Sequence, residues 1–184
     1  MDNNLKILNF LAKNTGQFTM HQLSQTLNIP YATFYRTINK MTDILTIKTI
    51  GKAKTISINN SNPIINSYLA ISSEQEKNAY KNPIIKKIAK ELNTKDIVLL
   101  FGSYAKNKQT KTSDIDLLII NNGKRNIDFS KYELLYKKQI NAIFMKKQEF
   151  KQLVKQPEEN LAKQVIKNHI ILNNPEAFWR LTNE

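Results

Sequence analysis

Apolar positions along this chain change period several times, and each change marks an element. Leu5, Leu8, Leu11 and Ala12 recur at helical spacing, and Asn14-Thr15-Gly16 ends the run. Thr19 is placed to cap a second, short helix carrying Leu23 and Leu27, after which Asn28-Ile29-Pro30 turns the chain. A third helix sets Phe34, Ile38 and Met41 on one side. After Asp43 the pattern alternates through Leu45, Ile47 and Thr49, passes Gly51-Lys52-Ala53-Lys54, and resumes at Ile56 and Ile58. That predicts a hairpin with a basic tip.

Asn59-Asn60-Ser61-Asn62-Pro63 is polar and turn-forming, and reads as a linker. Helical spacing returns from Pro63 to Tyr80, with a break expected at Ser72-Ser73. Asn82-Pro83 then opens a helix with Ile84, Ile85, Ile88 and Leu92 inside and Lys86, Lys87 and Lys90 outside. Two short runs rich in Val, Ile and Leu, Val98 to Phe101 and Ile115 to Ile120, suit buried strands. Asn121-Asn122-Gly123 is a turn, Ser130 to Lys138 a helix, and Ile140 to Met145 a further strand. Helices around Phe150 and Val165 part at Pro157. A short strand at Ile170 to Leu172 precedes a closing helix, Pro175 to Leu181, whose Phe178 and Trp179 complete a core. The expected organisation is residues 1–60, a helical connector at 61–94, and a second domain at 95–184, with no internal repeat.

The chemistry gathers between the two apolar runs. Gly102-Ser103-Tyr104-Ala105-Lys106-Asn107 leaves the first, and Ser113-Asp114-Ile115-Asp116 opens the second. Side chains alternate along a strand, so Asp114 and Asp116 share a face across Ile115. Paired carboxylates there suit Mg²⁺ (or Mn²⁺), a hard cation usually shared with a substrate's phosphates. Gly102 lets the backbone approach a phosphate, and Ser103 adds a hydroxyl beside free amides. Alone, Asp-Ile-Asp in a basic chain is most often a strand end with solvated carboxylates, and Gly-Ser most often a turn. Their order and spacing together are far more specific.

The pattern resembles the signature of the DNA polymerase β nucleotidyltransferase superfamily, the minimal nucleotidyltransferases above all, matched at Phe101, Gly102, Ser103, Lys106, Ser113, Asp114 and Asp116. The resemblance implies transfer of a nucleoside monophosphate from a nucleoside triphosphate, with Mg²⁺ or Mn²⁺ as cofactor. It assigns Asp114 and Asp116 to metal and catalysis, and Gly102, Ser103 and Lys106 to the nucleotide. Two positions depart from the family. Lys106 and Asn107 stand where Arg and Gly are common; Asn tolerates a left-handed backbone, while Lys offers a point charge in place of Arg's fork. The third carboxylate of the family falls at Asn141, within Ile140-Asn141-Ala142-Ile143-Phe144. An amide has no net charge and accepts no proton near neutral pH, so nucleotide binding is better supported than turnover. Asp128 and Glu133, in an expected loop and helix, are not replacements.

The first third of the chain resembles a winged helix-turn-helix. Thr33-Phe34-Tyr35-Arg36 and Asn39-Lys40-Met41 look like a recognition helix, and the hairpin like a wing. The resemblance places Tyr31, Thr33, Tyr35, Arg36, Asn39, Lys40, Lys52 and Lys54 on double-stranded DNA and permits a homodimer on a two-fold site. Protein docking is the other common use of such modules. His21 reads as an exposed helix residue, since no His or Cys stands at metal-ligand spacing from it. The expected fold class is therefore α+β: a winged helix-turn-helix followed by a polymerase β-like domain, a mixed sheet flanked by helices.

Charge bears this out as a partner class. The chain carries 28 Lys and Arg against 15 Asp and Glu, a net +13, which favours nucleic acid, nucleotides or another acidic surface. A solvated lysine surface and a bias toward Lys, Asn and Ile account for part of it. Residues 1–60 hold seven cations and two anions. The absence of cysteine excludes disulfides and cysteine-ligated zinc. No apolar run reaches membrane-spanning length, and Met1 to Lys6 lacks the form of a signal peptide, so a cytoplasmic protein with no membrane partner is expected. Two readings stay open. One is a nucleotidyltransferase acting on a protein or nucleic-acid acceptor, a role in which family members often modify small helical ribonuclease toxins. The other is a DNA-binding regulator whose nucleotidyltransferase-like domain senses nucleotide because Asn141 has removed catalysis.

Overall fold

The computed structural model describes residues 2–14, 16–123 and 127–183; Met1, Thr15, residues 124–126 and Glu184 lie outside the described residues, and with them Thr15 of the expected helix stop and Met1 of the expected leader-free start. By the density of internal contacts the chain divides at Gln75/Glu76.

The N-terminal unit is built from α1 (Asn3–Lys13), β1 (Phe18–Thr19), α2 (Met20–Thr26), α3 (Tyr31–Asn39) and a hairpin of β2 (Leu45–Ile50) and β3 (Ala53–Ile58). Leu8 of α1, Leu23 of α2, and Phe34 and Ile38 of α3 are fully buried and make its core. Thr19 caps α2 through a reciprocal exchange with Gln22, an arrangement that satisfies two otherwise orphaned amides. Met41 is buried as expected, although α3 has already ended at Asn39. The hairpin closes on a two-residue turn, with Ile50 opposite Ala53 and Gly51 in the left-handed region, so Ala53 and Lys54 belong to β3 rather than to the tip. β1 joins β3 on its other side, giving a three-stranded antiparallel sheet.

The helix α4 (Ile65–Ala79) crosses the division and corrects an expectation. No break occurs at Ser72-Ser73. Both hydroxyls turn onto helical carbonyls, Ser72 Oγ donating to Leu5 O at 2.8 Å and Ser73 Oγ to Leu69 O at 2.9 Å, so neither serine caps a new turn.

The C-terminal unit contains α5 (Pro83–Glu91), β4 (Ile97–Phe101), α6 (Gly102–Ala105), β5 (Ile115–Asn121), α7 (Ser130–Tyr136), β6 (Ile140–Lys146), α8 (Lys147–Lys155), α9 (Leu161–Lys167), β7 (Ile170–Asn173) and α10 (Pro175–Asn183). Its sheet runs β6-β5-β4-β7, with β5 and β6 parallel and the other pairs antiparallel, so it is mixed, and helices flank it. Leu117 to Ile120 of the central strand β5 are all fully buried, which is why that run lacks alternation. Asn82 begins α5 by accepting the amides of Ile84 and Ile85, with Pro83 following where a proline costs no hydrogen bond. Ile85 and Ile88 then face the sheet core together with Val98, Leu100 and Leu117.

Candidate functional site

The register of three strands builds the site. Phe101, the last residue of β4, lies opposite Asp116 of β5, and Asp116 lies beside Asn141 of β6. Ile115 is fully buried, whereas Asp114 and Asp116 on either side are half-buried, as alternation requires. Chain reversal after β4 takes place at Gly102, whose φ of +67° is a conformation that few residues other than glycine adopt. The space beside it is already used. A Cβ built on Gly102 would stand 2.1 Å from Asp116 Oδ2 and 3.0 Å from its Cγ. Glycine is therefore required twice, by the backbone angle and by the carboxylate.

Asp116 has a second neighbour. Asn141 Nδ2 donates to Asp116 Oδ1 at 3.2 Å, and Gln139 Nε2 donates to Asn141 Oδ1 at 3.1 Å, so the amide is oriented from behind. Asp114 is sensed by Tyr104 of α6. Burial, and next the Asp114 charge, push that phenol above its ordinary value. Asp116 thus lies against the first residue of α6, and the Asp114 charge is felt at the buried tyrosine of the same helix.

The connection between α6 and β5 holds its shape through its own polar groups. Asn107 adopts φ +52°, the left-handed geometry expected of the position that glycine commonly fills. The Ser103 carbonyl accepts from Lys108 N at 2.9 Å, Ser113 Oγ accepts from Thr110 N at 2.9 Å, and Lys138 Nζ donates to the carbonyls of Lys111 and Ser113. Lys106 ends α6 with its side chain exposed. Asp128 is committed to the Ser130 amide and hydroxyl, and Glu133 accepts the Ile140 amide at 2.8 Å, so neither substitutes for a third acid.

Three contributors carry no signal in the sequence. Tyr80 donates its hydroxyl to the Tyr104 carbonyl at 2.7 Å and so ties α6 down; burial, reinforced by Tyr104, pushes its own phenol up to about 12. Lys138 is one lysine among many until the fold brings it to the Lys111 and Ser113 carbonyls. Gln139 gains meaning only from its contact with Asn141.

Among the described residues no three His, Cys, Asp or Glu side chains gather to hold a metal. Two carboxylates beside a glycine turn still fit one Mg²⁺ or Mn²⁺ ion, because such ions are commonly held by one or two carboxylates with substrate phosphate completing the shell. The donor set is all hard oxygen, and Asp116 Oδ2 occupies the space that a side chain at position 102 would fill.

The residues named for DNA lie in the N-terminal unit. Tyr31, Tyr35, Arg36 and Asn39 are exposed on α3, Lys40 follows at its end, and Lys52 and Lys54 are exposed on the hairpin. Thr33 is half-buried, and its carbonyl accepts from Thr37 Oγ1. The rings of Tyr31 and Tyr35 lie 6.4 Å apart, with His21, also exposed, 6.0 Å from Tyr31.

A mixed sheet flanked by helices, with a glycine turn at one strand end and two acids on the next, defines a nucleotidyl-transfer type of domain. A family model described as Polymerase beta, Nucleotidyltransferase matches residues 84–177, and the chain belongs to that family. Its domains typically use a divalent metal and a nucleoside triphosphate. Neither the curated proteins nor the solved structures contain a match to this chain. No helix among the described residues is long and apolar enough to cross a membrane.

Proposed function

We propose that this protein binds a nucleoside triphosphate with Mg²⁺ or Mn²⁺ through Gly102, Ser103, Asp114 and Asp116, and transfers the nucleoside monophosphate to a protein or nucleic-acid acceptor while its N-terminal unit engages double-stranded DNA. The observation that carries the reading is the packing of Asp116 into the space that Gly102 leaves, at the end of a strand in a polymerase β family domain. The metal, when bound, would be held by Asp114 and Asp116 and would neutralise charge on the phosphates. Gly102 keeps the turn bare for close approach, the Tyr80 hydroxyl holds α6 in place, and Lys138 braces the segment that leads into Asp114.

Support for DNA binding is the winged helix-turn-helix form read from α2, α3 and the β2-β3 hairpin. Its exposed Tyr35, Arg36, Asn39 and Lys40 suit a groove, and Lys52 and Lys54 suit phosphates. A cytoplasmic location and a homodimer are part of the same proposal.

One observation favours a second reading, a DNA-binding regulator with a nucleotide-sensing domain. Asn141 offers Asp116 a hydrogen-bond donor where the family has an acid, and no third acid takes its place among the described residues. Incubation with each labelled nucleoside triphosphate, Mg²⁺ or Mn²⁺, and DNA, RNA or cell-extract protein separates the two. Label transfer that disappears in Asp114→Ala, Asp116→Ala establishes the enzyme. Binding without transfer, lost in the same variant, establishes the sensor, and undiminished binding in that variant refutes the site.

A further inference from the structure

The C-terminal unit contains a pocket of about 390 Å³ between the end of α4, α5 and the sheet-edge strand β7, a volume within the range of small-molecule sites. Its floor is apolar. Ile170 and Leu172 come from β7, Ala89 from α5, and the ring of Tyr80 closes one side. Three of these four are buried, so the floor is a continuation of the core rather than a film of surface side chains. The charged residues that line it are Lys77, Lys86 and Lys90, and none of the described lining residues is a carboxylate. Lys86 and Lys90, four apart on α5, stand on one face of that helix and are both exposed lining residues of the pocket.

We propose that this pocket binds a small amphipathic anion, an apolar alkyl or aryl body bearing one carboxylate or phosphate head. The apolar floor receives the body, and the lysine rim pairs with the head, since burying an anion there without a cation would be costly. A neutral apolar ligand would make no use of Lys86 and Lys90, and a cation would be repelled by both. The pocket lies apart from Asp114 and Asp116 but not out of touch with them. Tyr80, one of its walls, donates to the Tyr104 carbonyl of α6, the helix that begins at Gly102. Occupancy therefore bears on the glycine turn, and this consequence alone rests on the nucleotide reading.

The test is calorimetric titration of the full chain with octanoate, phenyl phosphate and octylammonium. Octanoate or phenyl phosphate should bind saturably at one site per chain, and whichever does so identifies the source as acyl or aryl phosphate; octylammonium should not bind. Lys86→Glu with Lys90→Glu, both exposed, should weaken the anion about tenfold or more, because two attractive charge contacts become repulsive. Ala89→Phe, which fills the floor, should abolish binding while the circular dichroism spectrum stays unchanged. Absence of saturable anion binding, equal binding of octylammonium, or indifference to the lysine reversal overturns the site. Anion binding that leaves the affinity for nucleoside triphosphate unchanged retains the site and overturns its link to the turn.

Discussion

Gly102→Ala tests whether the glycine turn and the Asp116 carboxylate are one device. The new methyl meets two obstacles of different kinds. The backbone angle of +67° disfavours any side chain, at a cost of roughly 1–2 kcal/mol. For a unit of this size that corresponds to about 4–16 °C in melting temperature. The second obstacle is Asp116 Oδ2 at 2.1 Å, with Asp116 Cγ at 3.0 Å and Cβ at 3.3 Å. The oxygen can swing away, which spares the fold, but only by leaving both the turn and the Asn141 donor. Function should therefore fall further than stability does: Mg²⁺-dependent nucleoside triphosphate binding should weaken at least about tenfold, the scale seen when a ligand's supporting contacts are disturbed. Gly51→Ala is the matched control. Gly51 has φ +60° and no atom within 4 Å of a built Cβ, so it bears the backbone cost alone. Thermal unfolding and titration with nucleotide, with and without Mg²⁺, read both quantities. Wild-type nucleotide affinity in Gly102→Ala, or an equal loss in Gly51→Ala, would refute the reasoning.

Three further outcomes follow from the same geometry. Asn141→Asp should raise label transfer by about a hundredfold or more, the lower range for restoring a general base, and should make thermal stability more dependent on Mg²⁺; full activity of the unmodified protein with no gain in the variant would exclude a role for this position. Tyr80→Phe should lose about 0.5–1.5 kcal/mol with the hydrogen bond to Tyr104. Because Tyr80's phenol is raised to about 12, its contribution is complete below pH 10 and fades as pH rises through about 12, so the variant should lack that alkaline loss in a pH series of melting curves. In DNA titrations over a range of salt, replacing Lys52 and Lys54 by Ala should lower the magnitude of the log-log slope by about one per lysine that contacts a phosphate, whereas an unchanged slope would remove the hairpin from the interface.

The parts of the structure that could be read in advance are those governed by local periodicity or by residue type at a fixed spacing. Leu117 to Ile120 announce a doubly buried strand because nothing polar interrupts them, and Asp114-Ile115-Asp116 announces a shared face because alternation allows no other outcome. Asn107 could be assigned a left-handed turn from its chemistry alone, and its φ of +52° agrees. What stayed hidden depends on partners distant in sequence. Ser72 and Ser73 look like a helix break until the carbonyl of Leu5, sixty-seven residues away, accepts one hydroxyl. Tyr80 and Lys138 look like ordinary connector residues until the fold presents them with the Tyr104 and Ser113 carbonyls. The need for glycine at position 102 was legible as a turn, but its clash with Asp116 follows only from the pairing of Phe101 with Asp116.

Asn141 marks the point at which family membership and local chemistry pull apart. An acid at that position would face Asp116 across adjacent parallel strands, and two half-buried carboxylates so placed repel unless a cation lies between them. The amide removes that repulsion, and by donating to Asp116 Oδ1 it fixes the orientation of that carboxylate. Gln139 holds the amide in the donating orientation by bonding its oxygen. The side chains are thereby held by one another, and a metal bound there would find one anionic ligand fewer. An enzyme that turned over rapidly would gain from the opposite arrangement, in which metal supplies the order. A protein that must register nucleotide and hold it gains from this one, and the response of Asn141→Asp to Mg²⁺ decides between them.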